Sequence, residues 1–217
     1  MTLLDLSHTI EHGMVTYPGL PGPIICDYLS RTDSHGRYAE GVEFQIGKIE
    51  MVANTGTYID APFHRYAGGK DIAGLRLDSL ANLEAVLIQG PADGSRAVDW
   101  TAFDGREIRG KAVLVRTGWD ARWGTPGYLA NNPFLTAAAA EYLVGQGAAL
   151  VGIDSLNIDD IGDQARPVHS TLLGAEIPIV EHLCKLGALP DRGFQFSAVP
   201  PKVAGFGSWP VRAFAVV

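Results

Sequence analysis

The sequence predicts a mixed α/β fold in one domain, and three observations carry that reading. Apolar runs at 83–90 ("LEAVLIQG"), 111–119 ("KAVLVRTGW") and 148–154 ("AALVGID") are short and nearly continuous. Strands buried on both faces have this composition. A helix-forming stretch separates the last two runs. The 26 Gly and 13 Pro are spread along the chain, as expected for many short strands joined by tight turns. A length of 217 residues fits a single domain, 1–217.

Each element has its own signal. "GVEFQIGKIEMVAN" (41–54) alternates and is rich in Phe, Ile and Val, so it reads as one or two strands. In "FLTAAAAEYLVGQG" (134–147), Thr136 is an N-cap, Ala and Leu favour helix, and Gly145 with Gly147 stops it. Strand 111–117, helix 137–145 and strand 148–153 then form a right-handed βαβ unit. A second helix is expected over about 175–186, with Pro178 tolerated in its first turn. "FGSWPVRAFAVV" (206–217) closes the chain as an apolar strand.

Composition excludes several functions. A formal net charge of -7 argues against nucleic acid or an anionic membrane, both of which need clustered Lys and Arg. A small-molecule substrate is expected instead. Cys26 and Cys184 are too few for a disulfide framework and fit a reducing compartment. The N-terminus lacks a signal-peptide pattern and no apolar run approaches 18 residues, so a cytoplasmic protein is expected.

The chemistry concentrates in "NTGTYIDAPFH" (54–64). In an extended chain Asn54, Gly56, Tyr58 and Asp60 share one face, and Pro62 ends the pairing so that His64 turns back toward Asp60. The simpler alternative is an Asp60 that caps a turn beside a backbone-bonded His64. "ARPVHSTLLGAEIPIVEHL" (165–183) weighs against it by adding His169, expected in a loop, and Glu181, expected on the following helix. His, Asp and Glu together suit Zn²⁺ or Mn²⁺. His8 could approach this site, His35 reads as exposed, and His182, next to Glu181 on the expected helix, points elsewhere.

With these residues in place, the chain resembles the cyclase family of metal-dependent hydrolases, which includes kynurenine formamidase and isatin hydrolase. The family signature His-x-Gly-Thr-His-x-Asp-x-Pro-x-His is matched from Asn54 to His64, except that Asn54 and Tyr58 replace the two signature histidines. "DLSHTIEHGMVTYPG" (5–19), "LVRTGW" (114–119), "LVGIDSLNID" (150–159) and "PVRAFAV" (210–216) extend the likeness over nearly the whole chain. The resemblance implies a swivelling β/β/α-type fold with a mixed, barrel-like central sheet and flanking helices. It implies a hydrolase of a small cyclic or aromatic amide, acting on a non-peptide carbon–nitrogen bond. Asp60, His169 and Glu181 match one metal position, so a single Zn²⁺ or Mn²⁺, or none, is expected.

By the same resemblance, Asp60 and His64 would be the acid–base groups, and Asn54 and Tyr58 would donate to the developing oxyanion. Tyr17, Phe63 and Trp119 are the candidates to bind substrate, and a homodimer or higher homo-oligomer is expected. A lyase, dehydratase or cyclase acting on a small oxygenated metabolite is a second reading. A catalytically silent ligand-binding relative is a third.

Overall fold

The computed structural model describes residues 1–91 and 93–217. In chain order the first elements are β1 (Leu3–Asp5), β2 (Ile24–Leu29), α1 (Arg31–Ser34), β3 (Ile46–Glu50), β4 (Tyr58–Asp60) and β5 (Leu83–Gln89). Next come β6 (Ala97–Val98), β7 (Ala112–Arg116), β8 (Phe134–Leu135), α2 (Ala137–Gln146) and β9 (Leu150–Ile153). The last are α3 (Pro167–Gly174), β10 (Ile179–Glu181), β11 (Arg192–Ser197), β12 (Ser208–Pro210) and β13 (Phe214–Val216). Nine strands form a curled half-barrel in the order β1-β13-β11-β5-β7-β9-β10-β4-β12. The expected mixed α/β class is the observed one.

The centre of the sheet explains the continuous apolar runs. β5, β7, β9 and β10 run parallel, and successive side chains enter different cores. Along β5, Ala85 and Leu87 join one apolar cluster, whereas Val86 and Ile88 join another. β7 repeats the division with Ala112 and Leu114 against Val113 and Val115. Leu143 of α2 and Leu172 of α3 cover the second cluster; Phe194 and Phe196 of β11 fill the first. Each buried Val, Leu, Ile or Phe side chain among these stabilises the fold by about 1.5–3 kcal/mol relative to exposure. Thr136 caps α2 as expected, its hydroxyl accepting from Ala139 N at 3.1 Å.

The expectations for the segment 165–186 and for the closing strand need correction. The segment 175–186 is not a helix: β10 occupies its centre, so Glu181 ends a strand, and His169 sits on α3 rather than in a loop. Pro178 and the β-branched Ile177, Ile179 and Val180 favour extension, and Glu176, at φ +60°, breaks the chain just before them. The closing strand is two strands, β12 and β13, at different places in the sheet. The segment 41–54, read as one or two strands, holds one, Ile46–Glu50. It pairs with β2 in a separate two-stranded arm in which every residue of β3 is exposed. Among the described residues no helix is long and apolar enough to cross a membrane.

Candidate active site

β4 carries the site because of where it lies. It pairs antiparallel with β10 on one side and β12 on the other, setting Tyr58 opposite Glu181 and Asp60 opposite Ser208. The Tyr58 hydroxyl donates to Glu181 Oε2 at 2.5 Å, and the Ser208 hydroxyl donates to Asp60 Oδ1. Just before the strand, Gly56 takes φ +66° and its N–H donates to Thr16 Oγ1 at 2.9 Å. A side chain there would be strained and would press on Ile10, 3.0 Å from the added carbon. Just after it, Pro62 opens a 3₁₀ turn ending at His64, whose Nδ1 lies 3.8 Å from Asp60 Oδ1.

Ser208 has one hydroxyl proton, and Asp60 takes it. The 2.9 Å contact between Ser208 Oγ and His64 Nδ1 is therefore donated by the imidazole. That assignment leaves His64 Nε2 with a free lone pair. Asn54 Nδ2 donates to the same Ser208 oxygen at 3.3 Å.

His169 is fixed from the opposite side by a residue that sequence reasoning missed. Asp159 accepts Val168 N at 2.8 Å and His169 N at 3.0 Å, and its Oδ2 lies 2.6 Å from His169 Nδ1. One carboxylate thus caps α3 and orients the imidazole. The free Nε2 faces Asp60 Oδ2 at 3.7 Å and Glu181 Oε1 at 3.6 Å. Glu181 Oε1 also accepts Ile158 N at 2.6 Å.

Burial opposes charge on His169, but Asp159, bonded to its Nδ1, and the nearby carboxylates of Asp60 and Glu181 outweigh it and, with no cation bound, lift the group to about 10. Burial would raise Asp60; His64, His169 and the Ser208 hydroxyl reverse that and hold it below its ordinary value. Burial pushes Glu181 up to about 7 despite His169. Tyr58 is driven well above its ordinary value by burial and by Glu181, so it is a donor and not an anionic ligand.

A divalent cation fits this donor set. One ligand atom each from Asp60, His64 and His169 lies within 4.8 Å of the others. Asp60 Oδ2 is buried without a hydrogen-bond partner, as a carboxylate oxygen awaiting a cation would be. A carboxylate bonded to the far nitrogen of a ligating imidazole is the usual outer support of such sites. Asp159→Asn is therefore expected to weaken Mn²⁺ binding about 10- to 100-fold, read by calorimetric titration.

Of the expected substrate contacts, the structure brings only Tyr17 to the cavity above these groups, about 340 Å³ in volume. Tyr17, Leu20, Asn54, His64, Arg65 and Arg166 line it, with the buried Tyr58, His169 and Glu181. Phe63 and Trp119 are not among the lining residues. The Trp119 indole donates to Tyr128 O at 2.9 Å within a buried aromatic cluster. Ser208, Asp159 and Arg166 were missed. Their only sequence signal is polarity at the edge of an apolar run, in "GSWP", "NIDD" and "ARPVHS".

The family model described as putative cyclase matches residues 4–160. The chain belongs to this family. Two relatives are kynurenine formamidases. That of Maricaulis maris is 27% identical over 212 residues, covering 96% of this chain and 95% of the relative. That of Bacillus anthracis is 26% identical over 224 residues, covering 97% and 95%. An isatin hydrolase bound to the product analogue thioisatinate superposes with a TM-score of 0.85 at 22% identity, covering 99% of this chain and 92% of its own. Isatin hydrolase A of Ralstonia solanacearum gives 0.82 at 24% identity, covering 99% and 91%. The enzyme class read from the sequence, a hydrolase of non-peptide carbon–nitrogen bonds, agrees with these names.

A half-buried histidine, His8, and a fully buried one, His182, pack with the aromatic rings of Trp123 and Tyr128. His8 stacks on Trp123 at 3.8 Å, and His182 takes the Tyr128 hydroxyl at 2.7 Å. His182 does point away, but from a strand end and not from a helix. Burial drives His182 down to about 3 and His8 to about 4. The unfolded chain then takes up protons below about 6.5 that the folded chain refuses, so this stability is present above 6.5 and lost on acidification. Glu181 acts oppositely between about 7 and its ordinary value. His182→Gln isolates one histidine. Its denaturation free energy, measured with chelator from pH 6.5 to 4.5, should lose a slope of about 1.4 kcal/mol per pH unit.

Proposed function

We propose that the protein hydrolyses the carbon–nitrogen bond of a small aromatic amide. The observation that carries this is the convergence of Asp60, His64 and His169 below an open cavity, with one Asp60 oxygen unpartnered. Names of the relatives support the substrate class. His64, its Nδ1 proton held by Ser208, takes a proton from water at Nε2 as the water oxygen adds to the carbonyl. It returns that proton to the leaving nitrogen as the carbon–nitrogen bond breaks, giving a carboxylic acid and an amine. Asp60 stabilises the imidazolium in between. Asn54 keeps one N–H free for the developing oxyanion, and Tyr58 can add its own by leaving Glu181.

Asp60, His169 and Glu181 would hold a Zn²⁺ or Mn²⁺. Such an ion supplies Lewis acidity that lowers the pKa of water. The absence of histidine at 54 and 58 limits the centre to one ion. Turnover of N-formylkynurenine or isatin by the Mn²⁺- or Zn²⁺-loaded protein tests the reading. No turnover of either by folded, loaded protein overturns it.

The same reading includes a homodimer. A lone two-stranded sheet is marginal in water, yet the arm exposes Ile25, Tyr28, Phe44, Ile46 and Ile49. A second copy covering it would restore its burial. Light scattering should return twice 23.2 kDa. A monomer at micromolar concentration removes this part.

A further inference from the structure

The cavity wall holds a cation that the hydrolytic chemistry does not use. Arg166 precedes Pro167 at the start of α3 and sits at φ +48°, ψ +56°, a conformation uncommon for a side chain of its size. Its guanidinium donates from Nη1 to the Asp160 carbonyl at 3.0 Å and from Nη2 to the Tyr17 hydroxyl at 3.1 Å. Both acceptors are neutral. The Asp160 carboxylate bonds Arg96 instead, at 3.0 Å, and among the described residues no carboxylate forms an ion pair with Arg166. Three of its five N–H donors therefore remain for a ligand. Tyr17 packs against the Trp119, Tyr128 and Leu156 cluster, so the support of the guanidinium is itself held in place.

The opposite charge lies deeper. Asp60, Asp159 and Glu181 surround His169. An anionic ligand is thus attracted to the wall, where the guanidinium has no carboxylate partner among the described residues. Beside Arg166, the Tyr17 ring and Leu20 offer an apolar surface for an aromatic ring.

We infer that Arg166 binds a carboxylate carried by the substrate, so that the preferred substrate is an anionic aromatic amide with its acid directed away from the scissile carbonyl. This rests on the hydrolase reading for the position of that carbonyl, though not for the anion site itself. A bidentate guanidinium–carboxylate pair fixes orientation as well as charge, which is what a near-attack pose needs. Arg166 is a specificity-determining residue here, and not a catalytic one.

The test compares formanilide with its 2-, 3- and 4-carboxylates, which share one scissile bond. In the metal-loaded protein at least one formamidobenzoate should exceed formanilide in kcat/KM by tenfold or more, chiefly through KM. Arg166→Gln should bring that ratio down to near one, with Arg166→Lys retaining part of it. Tyr17→Phe, which leaves the guanidinium in place but unsupported, should lower the ratio severalfold. An equal preference in the wild type, or a ratio unmoved in Arg166→Gln, overturns the assignment.

Binding is measured separately as thermal stabilisation by 2-, 3- and 4-aminobenzoate against aniline. Stabilisation by an aminobenzoate that Arg166→Gln abolishes upholds the anion site even if no amide is hydrolysed. Turnover of formanilide with no effect of any carboxylate removes the anion site and leaves the hydrolase standing.

Discussion

Asp60→Asn is expected to lower kcat/KM on any amide substrate by about 10³-fold or more. General acid–base assistance alone contributes about 10²–10⁴. Here the same residue supplies the unpartnered oxygen that faces His169 and the oxygen that organises Ser208 and His64. Asparagine keeps the shape but offers no anion. His169 loses one of the two carboxylates that face its Nε2. Stability should fall as well, by about 1–3 kcal/mol, because a buried charge loses a partner. Steady-state kinetics with a parallel denaturation curve separates the two effects. A folded Asp60→Asn protein with near-normal turnover would remove Asp60 from the mechanism.

Gly207→Ala is the second large effect, at a residue with no functional group. A carbon added to Gly207 would lie 2.5 Å from His64 Cα and 2.6 Å from His64 N. Both are backbone atoms of the 3₁₀ turn and cannot rotate away. Gly207 O also accepts Ala61 N at 2.7 Å, so the two segments are bonded at the point of contact. Separating them costs about 1–3 kcal/mol of overpacking. It also moves His64 away from Ser208, and a displacement near 1 Å costs about 10² in rate. Thermal melts together with kcat/KM check both. Unchanged values for the pair would mean that the turn yields without consequence.

Much of the fold was legible because burial on both faces leaves a direct mark. β5, β7 and β9 carry unbroken apolar stretches, Ala85–Ile88, Ala112–Val115 and Leu150–Ile153, for a reason visible in their two cores. The segment 175–186 was misread because its helix-forming residues and its extended core overlap, and only tertiary pairing with β9 and β4 decides between them. The segment 41–54 reads as a strand with a covered face, yet every residue of β3 within it is exposed. In the site, Asp60 and His64 were readable from local spacing across Pro62. His169 and Glu181 were picked from the segment 165–183 by their ligand chemistry, and the family resemblance gave them a common metal position. Ser208 was not readable, because its role follows from the register of β12 on β4, between residues 148 apart in sequence. Asp159 and Arg166 act across a turn that the expected loop around His169 did not define.

The carboxylate at 159 begins a helix and aims an imidazole with the same two oxygens. Formation of α3 and arming of His169 are consequently one event. A molecule that has yet to wind this turn has no half-competent centre, and one that has wound it needs no later adjustment of the ring. Partial unfolding here should therefore switch molecules off one at a time, leaving the survivors at full speed.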